Sequence, residues 1–320
     1  MKPLGRRDFL KVSALSAGLS LLEPAAIAEV RNGMPYRQFG SDGDKVSILC
    51  VGGAHIGRNR SLSEAESIAL MRTAVDEGVN FFDNAWEYND GESERRMGLA
   101  MADGYRDKVF LMTKHHGRDA KVAKQHLHDS LTRFKTDLID LWQFHECIED
   151  NVAELIYTQG ALEFALKAKE EGKVRYIGFT GHRKPAILKE MITRGFAWDS
   201  IQMPLNCFDP HYLSFTKEVL PLAREKGINV IAMKTLGGSR NALLGTNAVT
   251  APECLRYSMS LPVVTVCSGM DSMDVLRDNL AIAKDFKQMS EDEMAALTTR
   301  TREYALDGEH ENYKARPEEA

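Results

Sequence analysis

The sequence has no paired cysteine motif. Its five cysteines, Cys50, Cys147, Cys207, Cys254 and Cys267, stand far apart in 320 residues. No Cys-x-x-Cys is available for an iron–sulfur cluster, a zinc ribbon or a thioredoxin-type redox pair. There is no lysine-rich tail or basic stripe. With 41 basic and 46 acidic residues the net charge is −5, and no nucleic-acid partner is expected. The uncharged run at residues 12–22 is too short, and too rich in Ser, Gly and Ala, to span a bilayer. No stable membrane insertion of the mature chain is therefore expected. No Gly-x-Gly-x-x-Gly follows the first strand, where only Gly52-Gly53-Ala54 stands, so the phosphate turn of a doubly wound sheet is missing. What is plentiful is apolar residue. At 43% hydrophobic the chain is not disordered, and it can bury one large core.

The first 28 residues read as a targeting segment rather than as fold. Arg6 and Arg7 form a basic start, residues 12–22 an apolar centre, and Ala26-Ile27-Ala28 a small-x-small cleavage site. Arg6-Arg7-x-Phe9-Leu10-Lys11 resembles the twin-arginine export signal of bacteria, with Gly5 where Ser or Thr is usual. The resemblance implies engagement of the export machinery through the N-terminus and a periplasmic location. Cleavage after Ala28 removes four basic and two acidic residues, leaving 37 and 44 in 292 residues.

Beyond residue 33 the chain beats regularly. Strands at 36–39 and 45–48 flank Ser41-Asp42-Gly43-Asp44, a hairpin signal. Apolar strands are then read at 49–51, 79–82, 109–112, 138–144, 176–179, 200–203, 229–233 and 263–267. Helical patterns follow them near 63–77, 92–102, 118–134, 158–171, 184–194, 214–226, 251–260 and 272–283. Ser63 with Glu66 is a capping box, and Gly78, Gly172 and Gly227 stop helices. The strands are apolar throughout rather than alternating, as in parallel strands covered by helices. Eight strand–helix units predict an α/β fold, a (β/α)8 TIM barrel, with the hairpin closing its bottom. Ser290 to Glu293 cap one more helix to about 302. The barrel is assigned to residues 29–303, and 304–320 to a polar tail that drapes over it or frays.

Catalytic groups of such a barrel come from the C-terminal ends of its strands. Asp83 and Tyr88 follow strand two, Lys114 ends strand three, and His145 ends strand four. A carbonyl that accepts hydride at carbon needs a proton at oxygen. A free tyrosine, with a pKa of about 10, gives one up poorly at neutrality. A neighbouring ammonium lowers that value, and a buried carboxylate keeps the ammonium charged. Tyr88 is thus read as general acid, Lys114 as its tuner, Asp83 as the lysine's partner and His145 as the orienting group.

From Met34 to about Glu303 the chain resembles the aldo-keto reductase family. Asp83-x4-Tyr88 with Gly91-Glu92-Ser93-Glu94 and Gly98, then Thr113-Lys114, His145 and Tyr176-Ile177-Gly178-Phe179, carry the resemblance. It implies an NAD- or NADP-dependent oxidoreductase that moves hydride between nicotinamide C4 and a carbonyl or alcohol carbon, without a metal. Carried over by position, Thr180 and Gln202 contact the nicotinamide amide. Met233 replaces the usual stacking aromatic. Lys234, Leu236, Gly238 and Arg240 line the pyrophosphate. Gly269, Ser272, Asp278 and Asn279 form the adenosine segment. Gly181 stands where the family has Asn. Gly269 and Val275 replace a Lys and an Arg common in NADP-preferring members, which favours NAD, although Arg277 lies close by.

The substrate wall is assigned to His55, Trp86, His115 and Asn206, with His116, Glu146 and His211 as further candidates. That lining suits a small polar carbonyl or a sugar-like molecule. A zinc site of His55, His115 and His116 is not expected, because adjacent histidines point apart. Export joined to a nicotinamide site implies tightly bound NAD. It opens a redox-neutral alternative, in which hydride is withdrawn and returned during epimerisation or elimination of a glycoside. The family also contains potassium-channel beta subunits, so a cofactor-binding regulatory subunit is the non-enzyme alternative. No sequence feature sets an oligomeric state.

Overall fold

The computed structural model describes residues 25–40, 43–58, 61–238 and 241–316. The twin-arginine segment therefore lies outside the described residues, as does Arg240. Three short strands come first: β1 (Glu29–Arg31), β2 (Met34–Phe39) and β3 (Asp44–Ser47), antiparallel in that order. The expected hairpin is β2–β3. β1 was not expected. It pairs with β2 through Asn32-Gly33, both at positive φ, the two-residue turn that matches strand twist.

Eight parallel strands then close on themselves. They are β4 (Leu49–Gly52), β5 (Phe81–Asp83), β6 (Phe110–His115), β7 (Ile139–Phe144), β8 (Val174–Thr180), β9 (Ser200–Pro204), β10 (Asn229–Met233) and β11 (Thr265–Gly269). Each pairs with the next in sequence, and β11 returns to β4, with Cys267 opposite Cys50. The expected barrel is the one observed.

Helices fill the outside: α1 (Glu64–Asp76), α2 (Glu92–Ala100), α3 (Ala120–Phe134), α4 (Val152–Thr158), α5 (Ala161–Glu170), α6 (Pro185–Thr193), α7 (Phe215–Glu218), α8 (Leu220–Glu225), α9 (Ala251–Ser260), α10 (Met273–Lys284) and α11 (Glu291–Thr301). The Ser63–Glu66 and Ser290–Glu293 capping boxes are both formed. Two differences from the expected pattern have local causes. The helix expected over 214–226 breaks at Val219, because Pro221 in the first turn of α8 has no N–H to continue the ladder. The helix α4, which was not expected, is separated from α5 by Gly160 at φ +82°.

Apolar packing has two compartments. The larger lies between strands and helices. The smaller fills the barrel's lower interior, where Phe39 of β2 packs on Phe110 and Tyr176 with ring centroids 4.8 and 5.0 Å apart. Buried Arg37 anchors the plug by donating to the carbonyls of Val263 and Met259, each at 2.7 Å. The bottom is thus sealed, and the open end is the one where strands finish.

Of the tail, residues 304–316 drape over the barrel rather than fray. Glu311 and Lys314 are buried, and Lys314 Nζ donates to Asp209 Oδ1 (2.9 Å), Glu311 Oε2 (2.9 Å) and the Tyr212 carbonyl (2.7 Å). Among the described residues no helix is long and apolar enough to cross a membrane.

Candidate active site

The loop after β5 brings the first two site residues into place through backbone bonds to the neighbouring strand. Asn84 N–H donates to the Met112 carbonyl and Trp86 N–H to the Lys114 carbonyl, both at 2.9 Å. The turn at Asn89 and Asp90, both at positive φ, then leads through Gly91 into α2. The Gly91-Glu92-Ser93-Glu94 motif turns out to be structural. Ser93 Oγ donates to the Gly53 carbonyl at 2.6 Å. Buried Glu94 accepts from Thr113 (2.7 Å), Ser130 (2.8 Å) and Arg133 (3.0 Å). Gly98 is needed because a side chain there would meet backbone of Arg133 and Phe134.

Asp83, Tyr88, Lys114 and His145 converge. Lys114 Nζ is ion-paired with Asp83 Oδ1, donates to the Asn84 carbonyl at 2.7 Å, and reaches Tyr88 Oη at 3.5 Å. Asp83 Oδ2 accepts from Gln202 Nε2 (2.8 Å) and from Cys267 Sγ (2.9 Å). The Tyr88 and His145 rings meet edge to face, centroids 5.8 Å apart. Burial tends to lower the Lys114 pKa, but the Asp83 carboxylate outweighs it and the ammonium is held charged. For Tyr88 the balance runs the other way. Burial pushes its pKa up, and Lys114 only partly offsets this. The expected lowering by Lys114 is present as an influence, but it does not decide the net direction. Tyr88 therefore keeps its proton, and its hydroxyl faces the cavity as a donor.

His145 is buried, and its Nδ1 lies 2.7 Å from Glu87 Oε1. The other carboxylate oxygen, Oε2, lies 3.0 Å from His116 Nε2. One ligand atom from each of Glu87, His116 and His145 falls within 4.8 Å of the others. None of the sequence signals had singled out Glu87.

These groups open on a cavity of about 580 Å³ at the mouth of the barrel. Gln202, Met233, Lys234, Leu236, Gly238 and Gly269, all assigned to the cofactor by position, line it. Gln202 Oε1 is buried without a hydrogen-bond partner, an acceptor suited to a carboxamide N–H. Lys234 makes no salt bridge among the described residues, and its Nζ lies 5.1 Å from the Tyr313 ring centroid. A side chain at Gly53 would come within 2.7 Å of the Asp83 carbonyl, so glycine there is required by the close approach of the end of β5. A buried acceptor without a partner and a cation without a salt bridge among the described residues fit a nicotinamide dinucleotide.

The remaining assignments divide. Thr180 is buried at the end of β8, with Oγ1 accepting from Glu146 N–H at 3.0 Å. Ser272 caps α10 by accepting from Val275 N–H at 3.2 Å. Buried Asn279 donates to Ser268 Oγ at 3.1 Å, whereas Asp278 is exposed. Of the substrate-wall assignments, His55 lines the cavity. The structure does not bring the other three to it. Trp86 stacks on His126 at 3.7 Å and donates to Asp129 at 3.0 Å. His115 is fully buried on Trp142, centroids 3.7 Å apart, on the helix side of β6. Asn206 donates to Glu311 (3.0 Å) and Tyr313 (2.9 Å), clasping the tail. Cavity residues that the sequence reading left out as site residues include Arg58, His182, Thr235, Asn241 and Cys267. Burial lowers the His182 pKa to about 3, so its imidazole is neutral.

The model of the aldo/keto reductase family matches residues 48–248. The chain belongs to the aldo/keto reductase family. An uncharacterized oxidoreductase of Bacillus subtilis, YqkF, is 28% identical over 316 residues, which cover 84% of this chain and 97% of the relative. A second B. subtilis oxidoreductase, YrpG, is 30% identical over 243 residues, covering 68% and 70% of the two chains. Among solved structures, the holo form of aldo-keto reductase AKR11C1 from Bacillus halodurans superposes with a TM-score of 0.70 at 25% identity. That match covers 87% of this chain and 99% of the other. A Klebsiella pneumoniae aldo/keto reductase in complex with NADP and acetate shares the fold, with a TM-score of 0.66 at 21% identity over 82% of this chain and 93% of that one. This aldo/keto reductase is an oxidoreductase enzyme of the NAD(P)-dependent kind.

Proposed function

We propose that this aldo/keto reductase interconverts a secondary alcohol and a carbonyl on a polar, polyol- or sugar-like molecule, using retained NAD. The observation that carries the reading is the cavity itself. Asp83, Tyr88 and His145 face it beside His55, Glu146 and His182, with little apolar wall beyond Met233 and Leu236. Bound there, a nicotinamide dinucleotide supplies the hydride acceptor or donor. Tyr88, kept protonated by burial, donates a hydrogen bond to the substrate oxygen as charge develops on it. Lys114 and Asp83 hold a fixed charge pair beneath it.

NAD is favoured over NADP because a 2′-phosphate needs a basic clamp. Gly269 and Val275 offer none. The nearby Arg277 is exposed and paired with Asp274 at 2.9 Å. Retention is favoured by the tail. Tyr313 lies against Lys234 and is hydrogen-bonded by Asn206, so the loop from Lys234 to Gly238 is braced from outside. That brace supports the redox-neutral alternative as a second reading, since an epimerase or eliminase keeps its cofactor between turnovers. Mass spectrometry of nucleotide released on denaturing gel-filtered protein is the test. Stoichiometric NAD is expected, and empty protein that binds NADPH reversibly overturns the retention.

We also propose that residues 1–28 direct export of the folded chain. Replacing Arg6 and Arg7 by Lys should leave the protein in the cytoplasmic fraction. An unchanged distribution between fractions refutes the signal.

A further inference from the structure

Strand β11 turns a cysteine into the site. Cys267 lines the cavity and is half-buried, whereas Cys50, Cys147, Cys207 and Cys254 are buried. Its Sγ lies 2.9 Å from Asp83 Oδ2. That contact spans a strand, because β11 and β5 do not pair and β4 lies between them. The side chain reaches across where β4 ends in Gly52. A Cβ at Gly52 would stand 3.1 Å from Cys267 Sγ and 2.9 Å from the Ser268 carbonyl. The bare end of β4 leaves the gap through which a β11 side chain meets the carboxylate of β5. On its other side Cys267 packs on the lower apolar cluster, which contains its register partner Cys50. It therefore stands where the apolar plug gives way to the charged floor of the site.

Two chemistries are open to a thiol in such a place. A nucleophile or a redox centre needs the thiolate. Contact with the Cys50 thiol, burial and the Asp83 charge all push the pKa of Cys267 up, so the sulfur keeps its proton. A protonated thiol is a weak donor with one proton to give. The carboxylate oxygen at 2.9 Å is the acceptor before it.

The use of that donor follows from how Asp83 is held. A carboxylate turns readily about its last side-chain bond. Asp83 Oδ1 is ion-paired with Lys114, whose Nζ also meets the Asn84 carbonyl (2.7 Å) and Tyr88 Oη (3.5 Å). Asp83 Oδ2 accepts from Gln202 Nε2 of β9 at 2.8 Å and from Cys267 of β11. Donors from β6, β9 and β11 thus converge on one carboxylate and fix its plane. Loss of a donor at Oδ2 loosens that plane, and the ammonium paired with Oδ1 moves with it.

We propose that Cys267 is a positioning residue, whose S–H holds Asp83 so that Oδ1 is presented to Lys114 and the ammonium stays beside Tyr88. This rests on the reading above, in which Tyr88 serves the substrate oxygen over the Lys114–Asp83 pair. Cysteine suits the task. A weak donor fixes the direction of the carboxylate while drawing little of its charge away from Lys114, and the sulfur packs on the apolar cluster beneath.

Infrared absorption of the S–H stretch tests the contact without turnover. The band lost in Cys267→Ala should lie at lower frequency than those of the other four thiols, because an ionised acceptor draws on the S–H bond most strongly. A Cys267 band level with the others overturns the proposal. In steady state, with the best substrate of a polyol and sugar panel, Cys267→Ala should lower kcat roughly tenfold, the worth of one weak donor on a charged acceptor. The NAD⁺ Kd should stay within threefold. Cys267→Ser keeps a donor and should recover most of the loss. A residue that only fills space gives no such recovery, since a hydroxyl set against the apolar cluster packs no better than a methyl. Unchanged kcat in Cys267→Ala, or Cys267→Ser no faster than Cys267→Ala, overturns the proposal. If the wild-type protein turns over nothing in the panel, the functional reading fails, and the S–H band still decides whether Cys267 holds Asp83.

Discussion

Replacing Asp83 by Asn removes one charge from the base of the site and nearly nothing of its shape. Asp83 serves three donors in the wild type: Lys114 Nζ on one oxygen, and Gln202 Nε2 and Cys267 Sγ on the other. An amide offers those donors a single acceptor oxygen. The buried ammonium keeps only the Asn84 carbonyl at 2.7 Å and the distant Tyr88 hydroxyl. Breaking a buried pair while leaving its cation costs about 3–5 kcal/mol. With a urea slope of about 3 kcal/mol per molar, the unfolding midpoint should fall by roughly 1–1.7 M. The sign with pH is equally definite. In the wild type the Lys114 pKa is raised. Its contribution is therefore full below the unfolded value of about 10.4, and it is lost only above that, so it is level between pH 6 and 9. In the variant, burial is unopposed and the pKa drops, so the unfolded chain binds the extra proton. The penalty should then be largest at pH 6 and shrink toward pH 9. A loss under about 1 kcal/mol, or one equal at both pH values, refutes the reasoning.

Tyr88→Phe should cost at least about a hundredfold in kcat, the worth of one donor at a developing charge. The nucleotide Kd should stay within threefold, and wild-type turnover would remove Tyr88 from the site. His182, with its pKa lowered to about 3 by burial, should show no imidazole titration above pH 4 by NMR. Because the unfolded chain protonates it near 6.5, its share of stability is full above that pH and falls as pH drops toward 3. Lys314→Met strands two buried carboxylates, Asp209 and Glu311. Amide exchange over residues 309–315 should quicken about a hundredfold, and nucleotide release should speed up at least tenfold. Unchanged exchange there would show that the clasp does not hold the tail.

Local signals carried the fold. Eight apolar strands separated by capped, glycine-stopped helices are visible because each boundary is chemistry within a few residues, as at Ser63–Glu66 and Gly78. The Asn32-Gly33 hairpin signal went unread, and with it the strand before it. The four convergent site residues were readable because strand ends of a barrel share one rim. What escaped is non-local. Glu311 and Lys314 look like solvated charges until Asp209, about a hundred residues away, meets them. Trp86, His115 and Asn206 are polar or aromatic at the right loops, but neighbours on α3, β7 and the tail claim their side chains. Glu87 has no meaning until β6 and β7 bring His116 and His145 to its two oxygens.

The most direct measurement is absorbance at 340 nm as purified protein, supplied with NAD⁺ or NADP⁺, is offered a panel of polyols and sugars. Lys114→Met runs alongside with its nucleotide affinity measured separately. The account predicts reduced nicotinamide from NAD⁺ with at least one polyhydroxylated substrate, and loss of that signal in the variant while one nucleotide still binds per chain. Wild-type protein that binds neither dinucleotide, or a Lys114→Met variant that turns over as the wild type does, would contradict it.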